Sequence, residues 1–179
     1  MRIIGGVRGG RVLNLPEDYQ ARPTTDFARE GLFNILDNEY EMEGLNVLDL
    51  FGGTGAIAFE FASRGADRVY SVEMLRENAQ FIKAEAKRLS LDNVVAVRDN
   101  VFDFLDICRE SFDIIFADPP YALEGLETIP DKVLSKNILH QQGYLILEHP
   151  SNYSFKGHEN FVKERKYGKV HFSFFSPIS

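Results

Sequence analysis

A single cysteine, Cys108, leaves this chain without a partner for an intramolecular disulfide and without the thiolates of a cysteine-rich zinc site. In "DFLDICRE" Phe104, Leu105 and Cys108 fall on one helical face, so the cysteine is expected to pack rather than react. Histidine is sparse as well. His140, His149, His158 and His171 show no close ligand spacing, and no metal is expected. No stretch approaches the roughly 18 to 20 apolar residues of a membrane span, and the opening "MRIIGGVRGGRVLNL" lacks the continuous apolar centre of a signal peptide. The expected compartment is the cytoplasm, with no membrane partner. Repeats, low-complexity tracts and linkers are missing too. The 179 residues, 44% hydrophobic and 26% charged, suit one domain over 1–179 with residues 1–20 as its extension.

Positive charge is in short supply: 20 Lys and Arg stand against 27 Asp and Glu, a net −7. That excludes nucleic-acid binding across the whole surface and leaves room only for a local basic face. Arg2, Arg8 and Arg11 fall in an opening stretch without acids, and Lys163, Arg165, Lys166 and Lys169 cluster near the end.

What the chain does have is alternation. "NVLDLF" (46–51), "RVYSVE" (68–73), "NVVAVRD" (93–99), "FDIIFAD" (112–118) and "GYLILEH" (143–149) read as strands rich in β-branched residues. Between them "GAIAFEFASRG" and "LRENAQFIKAEAKRL" read as helices, the second with Leu75, Ala79, Ile82, Ala86 and Leu89 on one face. Such alternation implies a parallel sheet covered on both faces. "FVKERKYGKVHFSFF" predicts an antiparallel hairpin turning at Tyr167-Gly168. "RPTTDFAREGLFNIL" predicts a helix entered through Pro23, capped by Thr24 or Thr25, with Ala28, Leu32, Ile35 and Leu36 inward.

Ligands of such sheets sit at the carboxyl ends of the strands, so the residues there carry the functional reading. The first strand runs into "VLDLFGGTGAIA", where glycines allow a tight turn and close approach to a ligand. Gly53 to Ala58 also fits the pattern G-x-G-x-x-A, which keeps a nicotinamide cofactor open. Asp49, inside the first strand, could hold a cationic or amine-bearing ligand. Glu73, at the end of the second, is placed to accept from both ribose hydroxyls, and Asp99 or Asn100, after the third, from an adenine amine.

The fourth strand ends in "DPPY". An exocyclic amine on a nucleobase is a poor nucleophile because its lone pair is delocalised into the ring. It becomes one when acceptors take its N–H bonds and let the nitrogen turn tetrahedral. The Asp118 carboxylate and the Pro119 carbonyl are two such acceptors, with proline fixing φ and so aiming the carbonyl. Tyr121 supplies a flat face for a base taken out of its stack.

With these motifs the sequence resembles the class I S-adenosylmethionine-dependent methyltransferases, and within them the RsmD family of 16S ribosomal RNA guanine-N2 methyltransferases. The resemblance runs through "MRIIGGVRGGRVL", "RPTTDFAREGLFNIL", "VLDLFGGTGAIAFEFASRGA", "VYSVE" and "FDIIFADPPY". It implies a Rossmann-like α/β fold: a mostly parallel seven-stranded sheet with a C-terminal antiparallel hairpin strand, helices on both faces and a small N-terminal β-hairpin extension. It also implies S-adenosyl-L-methionine as cofactor and, as partner, 16S ribosomal RNA within the small subunit or an assembly intermediate. By the same resemblance Asp49, Phe51, Gly52, Gly53, Gly55 and Thr25 would line the cofactor site, with Glu73 on the ribose and Asp99 or Asn100 on the adenine. Thr24, Thr25 and Arg29 would reach the cofactor carboxylate or serve as a helix cap. Asp118, Pro119, Pro120 and Tyr121 would hold the target base, and Arg2, Arg8, Arg11 and Arg22 the RNA. Alternatives that stay open are an adenine-N6 methyltransferase acting on DNA or RNA, and a non-catalytic RNA-binding assembly factor that keeps the cofactor fold.

Overall fold

The structure, a computed structural model, describes residues 1–19 and 23–177. Arg22, one of the expected RNA contacts, lies outside them. The chain forms α1 (Asp26–Glu39), β1 (Asn46–Leu50), α2 (Ala56–Ser63), β2 (Arg68–Glu73), α3 (Arg76–Arg88), β3 (Val94–Arg98), α4 (Val101–Ile107), β4 (Phe112–Ala117), α5 (Ile129–Leu134), β5 (Leu139–His149), β6 (Phe161–Tyr167) and β7 (Val170–Phe175). One seven-stranded sheet takes the order β3-β2-β1-β4-β5-β7-β6. Pairing is parallel from β3 through β5, and β7 runs antiparallel to both β5 and β6. The order reverses between β1 and β4, which opens a crevice beyond their carboxyl ends.

Each face of the sheet buries its own apolar cluster. On one side Val47, Ile114, Ile146 and Phe172 pack beneath Leu32 and Phe33 of α1, Phe59 and Phe61 of α2, and Ile82 of α3. On the other Leu48, Leu50, Ile115 and Leu147 meet Val101 and Leu105 of α4 and Val133 of α5. Strand alternation thus puts Asp49 on the Val47 side, away from Leu48 and Leu50. Two elements went beyond the sequence pattern: α5 is too short to show a period, and β5 starts at Leu139 because a register shift at Phe112/Ile114 lets it pair earlier.

The N-terminal extension keeps its expected direction but not two paired strands. A single bridge joins Arg2 and Val12, and a 3₁₀ turn at Gly6–Arg8 occupies the tip. Gly6 must be glycine, since its φ is 77° and a Cβ there would lie 2.0 Å from the Ser63 carbonyl oxygen. Docking falls to Glu60 of α2, fully buried, which accepts from the Ile4 and Gly5 amides at 2.8 and 2.9 Å. Arg29 of α1 reaches the same carboxylate at 3.2 Å, and Arg64 at 2.9 Å. One buried acid therefore ties the extension to two helices.

Candidate active site

Beyond β1 the backbone turns through residues whose conformation serves the cavity. Phe51 is left-handed at φ 62°, Gly53 at 58° and Gly55 at 82°. Gly52 is needed for space, because a Cβ there would come within 2.4 Å of Ser71 Oγ. Glu73 braces this turn: its carboxylate accepts from the Gly53 amide at 3.1 Å and the Leu75 amide at 2.7 Å. The resulting cavity, about 1320 Å³, is bordered by Asp49, Phe51, Glu73, Asn100, Asp118 and Tyr121 together with Tyr19, Thr24 and Glu148. The expected contacts Gly52, Gly53, Pro119 and Pro120 border it as well.

Its electrostatics are those of an acid-lined space. Burial holds the Asp49 carboxyl well above the usual carboxylate range against one hydrogen bond from Ser71, and the nearby Glu73 charge pushes the same way. Asp118 is held high by burial first and then by the charges of Glu148 and Asp49. Glu148 is raised by burial, partly offset by hydrogen bonds with Thr24, Asp118 and Tyr121. The Tyr19 hydroxyl is pushed up to about 12 by burial and by the Glu73 and Asp118 charges. Among the described residues the basic side chains bordering the cavity are Lys166, Lys169 and His171, all from the β6–β7 hairpin. Buried acids without a cation call for one. S-adenosylmethionine, with a sulfonium and an ammonium, fits this lining; a dinucleotide pyrophosphate would add negative charge beside acids already pushed toward protonation.

The structure reassigns several expected residues. Thr25 caps α1, accepting from the Ala28 amide at 3.2 Å, so its hydroxyl is engaged with the helix although it borders the cavity. Thr24 is the hydroxyl aimed inward: it donates to Glu148 Oε1 at 2.5 Å and lies 3.4 Å from Asp118 Oδ2. Arg29 does not face the cavity, because its guanidinium is buried against Asp26 and Glu60. Of the adenine candidates, Asn100 borders the cavity and Asp99 does not. Asn100 Oδ1 already caps α4, accepting from Phe102 and Asp103, and its Nδ2 lies 4.0 Å from Met74 Sδ. Leu75, expected inward, is 53% exposed beside Met74 at the cavity rim. Gly55 caps α2 and carries the turn without bordering the cavity.

The basic clusters fare differently. Arg8 is half-buried, its Nε donating to the Leu89 carbonyl at 2.6 Å, so it fastens the extension to the end of α3. Arg2 lies 4.0 Å from Asp26, and Arg11 is exposed. Lys163 is engaged with Glu39, whereas Lys166 and Lys169 are exposed on the cavity border.

Two polar features escaped sequence reasoning. Glu148 looked like the end of an apolar strand, and only the parallel pairing of β4 with β5 brings it beside Asp118. Its Oε2 lies 3.4 Å from the Tyr121 hydroxyl, which therefore has a partner where only the ring face was expected to matter. Similarly, His149 and His171 meet across β5 and β7, each 3.6 Å from Glu164. Among the described residues no group of His, Cys, Asp and Glu could hold a metal ion.

The sequence profile described as "Conserved hypothetical protein 95" matches residues 1–176. Ribosomal RNA small subunit methyltransferase D of Escherichia coli K12 is 37% identical over 147 residues, 81% of this chain and 69% of that protein. Its namesake from Buchnera aphidicola subsp. Baizongia pistaciae is 29% identical over 189 residues, 100% of this chain and 93% of that one. A solved structure of a hypothetical protein from Thermus thermophilus has a TM-score of 0.88 at 29% identity and covers 99% of both chains.

Proposed function

The chain belongs to the RsmD family, described as Conserved hypothetical protein 95, and from that premise we propose that it is an enzyme which methylates the N2 amine of a guanine in 16S ribosomal RNA. Residues 1–179 act as one methyltransferase domain with 1–20 as its extension. The compartment is the cytoplasm, and the substrate is the RNA within the small subunit or an assembly intermediate. The observation that carries the reading is the row of acids at the sheet's reversal point, Asp49, Glu73 and Asp118, all bordering one cavity without an internal cation among the described residues.

S-adenosylmethionine, when bound, supplies a methyl group already activated by its sulfonium. The chain's own residues then bind, orient and stabilise charge. Asp49 and the turn at Gly52 and Gly53 would hold the methionine end, Glu73 would accept from the ribose hydroxyls on the lone pairs its two amide donors leave free, and Asn100 with Phe102 would bound the adenine. Tyr121 offers its ring, 45% exposed, to the flipped base. Asp118 and the Pro119 carbonyl accept from the amine as its lone pair turns outward, an interaction that grows in the transition state. Lys166 and Lys169, exposed at the mouth, meet the RNA backbone, which reconciles the net −7 with a polyanionic substrate.

The test is transfer of labelled methyl from S-adenosylmethionine to unmodified small subunits, bare ribosomal RNA and DNA, followed by nucleoside identification. N2-methylguanosine in the RNA is expected. Label found only as N6-methyladenine would move the assignment to the amine of adenine, and cofactor binding without transfer to any of the three would make the chain an assembly factor.

A further inference from the structure

Glu148 is the polar group of the cavity that the chemistry of the amine leaves without a task. It lies near the end of β5, is 4% exposed, and meets the hydroxyls of Thr24 and Tyr121. A carboxylate so buried is costly unless donors reach it. Thr24 supplies one at 2.5 Å, and the Tyr121 hydroxyl at 3.4 Å is too distant to count as strong. An ionised carboxylate has about four lone-pair sites, so acceptor capacity remains for a ligand.

Where that capacity lies follows from Thr24, whose hydroxyl touches Glu148 and stands 3.4 Å from Asp118. The two carboxylates are neighbours, and Tyr121, on which the base is to lie, reaches the same Glu148. Both ionised, side by side, they present acceptors only to a base seated against them. They complement a base edge that offers donors at adjacent positions, which is how a flipped base is read. Guanine has such an edge, with N1–H next to its 2-amino group. Adenine has a bare ring nitrogen next to its amine, and that lone pair would face the lone pairs of Glu148.

We propose that Glu148 is a specificity-determining residue that accepts the N1–H of the target base while Asp118 holds its 2-amino group. It rests on the guanine-N2 reading above and supplies what "DPPY" by itself does not, a reason for guanine over adenine. Thr24 is then a positioning residue that keeps the Glu148 carboxylate turned toward the base.

The experiment uses small subunits reconstituted with guanine or with 2-aminopurine at the methylated position. 2-Aminopurine keeps the amine but turns N1 into an acceptor. The unaltered enzyme should prefer guanine by at least ~1000-fold in kcat/KM, the scale on which a site built for a donor rejects an analogue lacking it. In Glu148→Gln the amide can donate to N1 of 2-aminopurine, so the preference should fall by at least ~100-fold. Glu148→Asp keeps the acceptor and should keep the preference at reduced turnover, and Thr24→Val should slow both substrates alike. Similar use of both bases by the unaltered enzyme overturns the proposal. So does an unchanged preference in Glu148→Gln with both rates lowered, which would make Glu148 a mere support for Thr24. Failure of the unaltered enzyme to form N2-methylguanosine in guanine subunits is a different result: it overturns the reading beneath.

Discussion

Asp118, proposed to hold the amine of the base, works against the fold that holds it. Its carboxyl is raised by burial and by Glu148 and Asp49, with Tyr19, Tyr121 and Thr24 as its other polar surroundings. For such an acid the folded state binds more protons than the unfolded one, from the ordinary carboxylate pKa of about 4 up to the raised value. Stability is therefore lost as pH rises through that window. Asp118→Asn should raise the melting temperature, more at about pH 8 than at about pH 5, while turnover falls by roughly a hundredfold or more. A melting temperature that drops, or a gain largest in acid, would show that Asp118 is satisfied as an ion. At Glu73, amides already hold both carboxylate oxygens. Glu73→Ala should lose ~1 to 3 kcal/mol of S-adenosylmethionine affinity by titration calorimetry, and equal affinity would remove it from the ribose.

At the scale of elements, the β6–β7 hairpin joins the mouth of the cavity to α1. A Cβ on Gly31 would lie 2.1 Å from the Tyr167 ring, so the helix carries glycine in its middle to admit that ring. Phe27 meets Tyr167 edge-on, with ring centroids 5.6 Å apart. The turn presenting Lys166 and Lys169 is thus held to α1 through Tyr167. Replacing both lysines with alanine should weaken binding to small-subunit RNA and reduce the slope of log affinity against log salt by about 1 to 2, leaving cofactor affinity alone. Arg8→Ala, by contrast, removes a contact to the Leu89 carbonyl and should leave that slope unchanged. An unchanged slope in the lysine pair would return the RNA contact to Arg2 and Arg11.

For the molecule as a whole, the buried Glu60 is where the extension, α1 and α2 are joined. Its loss leaves Arg29 buried with Asp26 as its remaining ion-pair partner among the described residues and deprives the Ile4 and Gly5 amides of their acceptor. Glu60→Ala should cost about 3 to 5 kcal/mol in urea unfolding, the range for breaking a buried pair from one side. Early hydrogen exchange at Ile3 to Leu13 is expected alongside, and a loss under ~1 kcal/mol would mean that Ile3, Leu13 and the Arg8 contacts hold the extension without Glu60.

How much of this was legible depends on the range of the interaction. Alternation and turn chemistry act over a few residues, so β1, β2, β4, α2, α3 and the hairpin at Gly168 could be read directly, and with them Asp49, Glu73 and "DPPY" at strand ends. Cap chemistry is equally local, yet which of Thr24 and Thr25 caps α1 depends on one residue of phase, and that phase decides which hydroxyl enters the cavity. Pairings across the sheet are not local. Nothing near Glu148 in the chain says that Asp118 will be its neighbour, and nothing near Arg29 says that its charge will be spent on Glu60 rather than on a ligand. The sequence by itself determined the strand ends and the residue types placed there, because those follow from period and turn. The tertiary structure alone decided which acids share one hydroxyl and which basic residues reach the mouth, because sheet order and burial set the distances over which charges act.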